Sequence, residues 1–374
     1  MGSYAIQDRE KSLQLKSVKL INQNTDEFVD LIRFFVEIRI TESVENKFTT
    51  GSIMFNSEYD IRELLQMDGT EKIKIIWTTG DDFEERNHTF RLLSIFSQEE
   101  LKENLIETVT INFVDERYLT LLSNEPYNVF NDSSASQIIS EMFGELNIDV
   151  DIETTTEKFN YYWLKPFIES LNEVRLANSD PLLVFQQNKK IIGRTYKKLF
   201  EQTPLELEYI NINEKNKENK IRNRIVKDIS SLNIIDMEDL HDNGYGNKLL
   251  VRDYSNKSFT YINKSLEDSS LLSGTKLKFN VSGNIRERID FPNYQFVEDY
   301  ILTDFIEATM PFAISNLYAG VLVTIEIPSK YDENDTSLRS GNYLIHTITH
   351  KIDRSLSYTQ ELTLIKKQLF KRNF

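Results

Sequence analysis

The tightest constraint on this chain is a period of two in its apolar residues. In 33–40 (RFFVEIRI) the even positions Phe34, Val36, Ile38 and Ile40 are apolar and the odd ones mostly charged. The same pattern recurs at Ile73, Ile75 and Trp77, at Val109, Ile111 and Phe113, and at Val321, Val323, Ile325 and Ile327. Side chains alternate across a strand, so each run puts one face in a core and the other in solvent. The 23 Phe and 17 Tyr, set against 12 Gly and 7 Pro, suit half-buried strands better than a helix bundle. At 374 residues the chain has room for two to four domains.

The strand signals fall in two blocks. Residues 14–115 read as a small antiparallel barrel or sandwich, with a short helix over 60–67 capped by Asp60, a turn at Asp68-Gly69, and an exposed hairpin tip at Gly80-Asp-Asp-Phe-Glu-Glu. Residues 116–203 change character to an α+β insertion. There Ser134 and Gln137 have capping-box spacing ahead of Ile138, Ile139, Met142, Phe143 and Leu146. A second helix starts near Pro166 and presents Phe167, Leu171 and Val174, and short strands follow at 182–187 and 190–195. Strands return over 204–235, with a polar hairpin between 205–212 and 221–229, and again over 313–366. Between them, 236–312 reads as an irregular second insertion with an amphipathic, helix-compatible stretch at 296–306; residues 367–374 form a tail. The two blocks share a layout, which suggests one barrel used twice, the second copy split.

Catalytic hardware is sparse. With no cysteine, disulfide scaffolds, thiolate zinc sites and cysteine nucleophiles are all excluded. His346-Thr-Ile-Thr-His350 has the outer spacing of a metalloprotease motif, but that motif needs a helix and a Glu after the first His. Here the segment is strand-like, and residues four apart on a strand stand roughly 13 Å from each other. No metal site is assigned. Asp236, Glu238, Asp239 and Asp242 do not keep a calcium-loop register, and Asp81, Asp82, Glu84 and Glu85 belong to the hairpin tip. The basic stretch 215–227 lacks aromatic interleaving and reads as a solvated hairpin. There is no G-x-S-x-G, P-loop or dinucleotide fingerprint. No apolar run reaches the roughly 20 residues of a membrane span, and the N-terminus lacks a signal-peptide core. The net charge of -15 argues against wrapping nucleic acid. A scaffold made in the cytoplasm that buries surface against partners is the expectation; a β-rich carbohydrate-active enzyme with paired carboxylates is the alternative.

Leu15-Lys-Ser-Val-Lys-Leu, the long alternating strand, Gly51-Ser-Ile-Met-Phe, Gln66-Met-Asp-Gly69 and Glu71-Lys-Ile-Lys-Ile-Ile follow one another in an order that resembles the central baseplate hub protein of T-even-type contractile-tailed phages. The insertion helix after Pro126, the segment from Trp163 to Phe185, Gly320-Val-Leu-Val-Thr-Ile and 342–350 continue it. The motif positions that carry the resemblance are Gly51, Met67, Asp68, Gly69, Gly320, Tyr343 and His350. The resemblance implies a mainly β chain with two similar antiparallel, tube-like β-barrels and two outer α+β insertion domains. It implies a homotrimer whose six barrels form a pseudo-sixfold ring between the tail tube and the threefold central spike, around part of the DNA channel. Its implied partners are the spike, a tail-tube or tube-initiator protein, wedge proteins and the tape measure protein. DNA would pass without specific binding, with no membrane insertion, cofactor or catalytic residue. The implied location is the virion baseplate, after assembly in the host cytoplasm; a peripheral wedge or receptor-binding component is the neighbouring reading. Tripling the charge to -45 suggests that acids line the channel and repel DNA.

Overall fold

The computed structural model describes residues 13–57, 61–79, 84–99, 107–122, 127–175, 177, 182–210, 224–226, 247–253, 258–264, 277–280, 305–310, 316–327 and 340–366. The chain is mainly β. The first block comprises β1 (Leu13–Ile21), β2 (Phe28–Asp30), β3 (Phe35–Ser43), β4 (Thr50–Ser57), β5 (Lys72–Thr79), β6 (Glu84–Glu99) and β7 (Glu107–Asp115). They pair antiparallel in the order β3-β4-β7-β6-β5-β1-β2. Ile73, Ile75, Trp77, Val109, Ile111 and Phe113 alternate into its core as their period requires. A helix at Ile61–Leu64 lies within the expected 60–67, while Asp60, Asp81 and Asp82 lie outside the described residues.

The alternation of 33–40 needs a correction. Phe34 is 52% exposed, Phe35 is buried, and Ile38 and Ile40 are buried. The β3–β4 register shifts between Phe35↔Phe55 and Glu37↔Met54, so Val36 is the extra residue of a bulge. A bulge inverts the parity of everything before it, which moves Phe35 inward and Phe34 out.

The insertion follows its sequence closely. Its strands are β8 (Asn128–Ser134), β9 (Val150–Ile152), β10 (Lys158–Trp163), β11 (Leu182–Gln187) and β12 (Lys190–Thr195). Ser134 caps the helix Ala135–Gly144 in a capping box with Gln137, whose side-chain oxygen accepts from the Ser134 N–H at 2.9 Å. The helix Phe167–Arg175 starts directly after Pro166. Phe143, Phe167 and Trp163 meet edge-on, at centroid distances of 4.9 and 5.7 Å, in the insertion's own core. Among the described residues no helix is long and apolar enough to cross a membrane.

The remaining strands are β13 (Leu205–Ile210), β14 (Arg224–Val226), β15 (Asn247–Asp253), β16 (Ser258–Lys264), β17 (Leu277–Asn280), β18 (Phe305–Met310), β19 (Leu322–Glu326), β20 (Gly341–Asp353) and β21 (Tyr358–Lys366). The expected hairpin between β13 and β14 is overturned, because the two pair in parallel. A two-residue hairpin joins antiparallel strands only, so parallel pairing excludes that reading; residues 211–223 lie outside the described residues. Within the range read as irregular, β16-β15-β17 form a three-stranded sheet. The stretch expected to be helical ends in strand β18 from Phe305, and 296–304 lies outside the described residues. Asp236, Glu238, Asp239 and Asp242 also lie outside them, as does 215–227 apart from β14.

β20 joins the two blocks. Its first part pairs with β19 (Leu322↔Leu344, Ile325↔Gly341) and its last part with β3 (Thr347↔Ser43 to Asp353↔Glu37); β21 covers its other edge. Ile352 and Tyr358 accordingly pack in the core of the first block. At the β20–β21 tip, Asp353 Oδ1 accepts from the Ser355 and Ser357 N–H groups, and Leu356 is held at a φ of 58°. A left-handed non-glycine residue is strained, and Leu356 is 48% exposed with little packing to lose. Leu356→Gly is expected to raise stability by about 0.5–1 kcal/mol, read as a higher urea midpoint at unchanged slope.

Candidate functional site

The seven motif positions do not converge on one cleft. Met67, Asp68 and Gly69 form a single turn: the Asp68 and Gly69 N–H groups donate to the buried Glu71 carboxylate at 2.7 and 3.0 Å, and Gly69 has a φ of 93°. Asn24 reaches the same turn through Asp68 Oδ2 at 2.6 Å, and Met67 packs on the first core. Gly51 lies on β4 under the ring of Phe113. Tyr343, on β20, is buried in the core of the second block, with the Lys366 ammonium 5.4 Å from its ring.

Gly320 and His350 belong to a joint where the three parts of the chain meet. Gly320 has a φ of 82° and supports the Phe185 ring of the insertion, where a Cβ would stand 2.5 Å from Phe185 Cζ. Gln187 and Gln202 donate to the carbonyls of Ala319 and Gly320 at 3.0 and 2.9 Å. Two residues before Gly320, the Tyr318 ring lies 4.7 Å from the guanidinium of Arg86. Arg86 is buried on the inner face of β6 and donates to His350 Nε2 at 3.2 Å. Since arginine only donates, His350 Nε2 accepts and its ring proton sits on Nδ1, 2.5 Å from the Tyr358 hydroxyl. Glu42 approaches from β3 and accepts backbone N–H bonds from Asn188 and Ala319. His88 lies between Trp77 and Phe90, stacked at 5.3 and 5.7 Å.

The polar groups of this joint are held away from their ordinary charge states. Burial pushes the Glu42 carboxyl up to about 7, although Arg86 and two N–H donors pull it down. Burial, reinforced by the Arg86 charge, lowers His88 to about 4 and holds His350 well below the usual imidazole range. Burial also raises Tyr358. A carboxyl whose folded pKa exceeds its unfolded value stabilises below the unfolded value and loses that contribution as pH rises through the folded one. For Glu42 the window runs from pH 4.5 to about 7. The histidines, with lowered values, act oppositely and destabilise as pH falls below 6.5. Glu42→Gln keeps a neutral side chain at every pH, so its stability relative to the parent should rise by about 3 kcal/mol between pH 4.5 and pH 8. Paired urea titrations at the two pH values read this directly, and a constant difference would mean Glu42 does not titrate in this window.

The sequence marked His350 and Gly320 but missed Glu42, Arg86 and His88. A signal existed, since Arg86 and His88 share the parity of Phe90 opposite the inward run Ile73, Ile75 and Trp77. His346 and His350 lie on a strand, as expected, and have separate partners: His346 Nδ1 meets the Thr347 hydroxyl at 3.1 Å. Among the described residues no group of three or more acids and histidines is arranged to hold a metal. Glu42, Arg86, His88, His350 and Tyr358 are all buried, and the geometry of the joint holds three parts of the chain against one another.

No protein-family model matches the chain, and no curated protein matches it by sequence. Solved structures do match its fold. The tail protein from Neisseria meningitidis MC58 superposes with a TM-score of 0.61 at 10% identity, covering 95% of this chain and 97% of that one. The 43 kDa tail protein of prophage MuSo2 from Shewanella oneidensis gives 0.57 at 12% identity, over 94% and 98%. A chain of the Francisella PdpA–VgrG complex gives 0.50 at 12% identity, over 97% of this chain and 59% of that one. The chain therefore shares the fold of phage tail proteins over most of its length, the fold class to which the sequence resemblance pointed.

Proposed function

We propose that this chain is a structural component of a phage tail, and within it the hub of a contractile-tail baseplate. In this reading it forms a homotrimer whose two strand blocks per subunit make a pseudo-sixfold ring. The ring joins the sixfold tail tube to the threefold spike and encloses part of the DNA channel. The observation that carries the reading is the extent of the likeness: 95% of this chain against 97% of a tail protein. The joint around Arg86 supports it, because a ring that bears load along its axis needs its units held at fixed angles. The likeness to a chain of a VgrG complex is the support for a spike as partner. The tube or tube-initiator, wedge and tape measure proteins follow from the hub position, as does location in the virion baseplate.

Light scattering on the purified chain, alone and with the spike protein from the same genome, tests this. A mass of three chains that gains the spike is expected. A strict monomer at high concentration that ignores the spike would overturn it.

A further inference from the structure

Among the described residues, four of the large apolar side chains most open to solvent stand together: Tyr127, which is 80% exposed, with Val129, Tyr162 and Leu164. The β8–β10 pairing puts them on one face. Tyr162 lies opposite Val129 and Trp163 opposite Asn128, so Leu164 and Tyr127 take the next step on the side of the Tyr162–Val129 pair. The other face, with Phe130, Tyr161 and Trp163, is buried in the insertion's core. Single exposed apolar residues are ordinary on a surface. Two tyrosines side by side with a leucine and a valine mark a contact site.

The patch sits in an acidic part of the chain. Residues 127–175 carry nine acids and three bases. Two of those bases are engaged already: Lys158 with Asp132 at 3.2 Å, and Lys165 with Glu169 and Glu173 at 3.0 and 2.7 Å. Glu145 comes to the edge of the sheet, where its carboxylate accepts from Asn128 at 2.9 Å. A partner for this surface therefore brings apolar side chains and positive charge together. The chain itself supplies such a segment. Residues 367–374 (KQLFKRNF) contain Lys367, Lys371 and Arg372, with no acid, among Leu369, Phe370 and Phe374. They follow β21, at whose end Lys366 lies opposite Tyr343 and donates to the Ser340 carbonyl at 2.6 Å. Eight residues extend at most about 28 Å from that anchor.

We infer that the outer face of the β8–β10 sheet receives residues 367–374 of the neighbouring copy. The inference rests on the hub reading, which supplies the neighbour. The tail leaves from the second block, whereas the patch backs onto a core that runs into the first block through Phe48 and Val114. A contact between these unlike surfaces is head-to-tail, the kind that closes a ring when each copy gives its tail to the next. Leu369, Phe370 and Phe374 then cover the apolar side chains, while the three cations meet the surrounding carboxylates and the tyrosine ring faces.

The absence of native cysteine makes the test clean. Asn131→Cys puts a thiol at an exposed position two residues along β8 from Val129, and Asn373→Cys puts one in the tail. Co-expressed as two differently tagged full chains and treated with a short bismaleimide, they should yield a cross-linked pair carrying one of each tag. Tyr162→Ser with Leu164→Ser, both at exposed positions, should cut that yield about tenfold, as should Lys371→Glu with Arg372→Glu. Cross-linking confined within single chains that carry both thiols would make the tail a chain's own. Pairs joined through two Asn131→Cys thiols would make the patch self-pairing. No cross-link, or a yield unmoved by the substitutions, would leave the tail no place on the patch. Each of these outcomes overturns the inference. A particle that still scatters as three chains keeps the hub reading despite that failure, whereas a monomer removes both.

Discussion

Arg86→Met is expected to cost about 3–5 kcal/mol at pH 8, the scale of breaking a buried ionic network from one side. Methionine keeps much of the apolar stem but deletes the guanidinium that donates to His350 and stands against Tyr318. Glu42, whose carboxyl burial pushes up to about 7, then loses the Arg86 charge that favours its ionised form. The penalty should therefore shrink at pH 5.5, where Glu42 is protonated with or without Arg86, and should shrink at pH 8 when Glu42→Gln is added. A double-mutant cycle in urea at both pH values measures this coupling. A penalty equal at the two pH values, and additive with Glu42→Gln, would show that Arg86 acts by packing and its contacts to His350 and Tyr318 alone.

Gly51→Ala should cost about 3 kcal/mol or prevent folding, the upper end for forcing atoms into a filled core. A Cβ at Gly51 would stand 2.3 Å from the Arg39 carbonyl oxygen and 2.5 and 2.7 Å from two atoms of the Phe113 ring. The ring can yield, but the carbonyl belongs to a strand paired on both sides, with β4 and with β20. Phe113→Leu added to Gly51→Ala should accordingly recover only part of the loss. Full recovery would place the whole cost on the ring, and no loss at all would mean β3 and β4 separate without penalty.

Local chemistry was legible in the sequence wherever one segment decides its own structure. The capping box at Ser134, the helix after Pro166 and the inward run Ile73, Ile75, Trp77 each depend on residues within a few positions of one another. What was hidden depends on residues far apart. Phe34 and Phe35 are both apolar, so only the partner strand shows which one the bulge turns inward. The parallel pairing of β13 with β14 and the sharing of β20 between blocks are set by tertiary contacts that no periodicity encodes. The joint was half visible: Gly320 and His350 stood out as motif positions, while Glu42 and Arg86 read as ordinary charged residues in a chain that is 28% charged. Their burial follows from strand parity only once the facing strands are known.

The central claim, a trimeric hub on the tail axis, is tested most directly by cryo-electron microscopy of the assembled tail. Three copies on the axis between tube and spike, with the two strand blocks of each forming the ring, are expected. Copies at the baseplate periphery, or an axial ring whose lumen is formed by the insertion around Trp163, would contradict it.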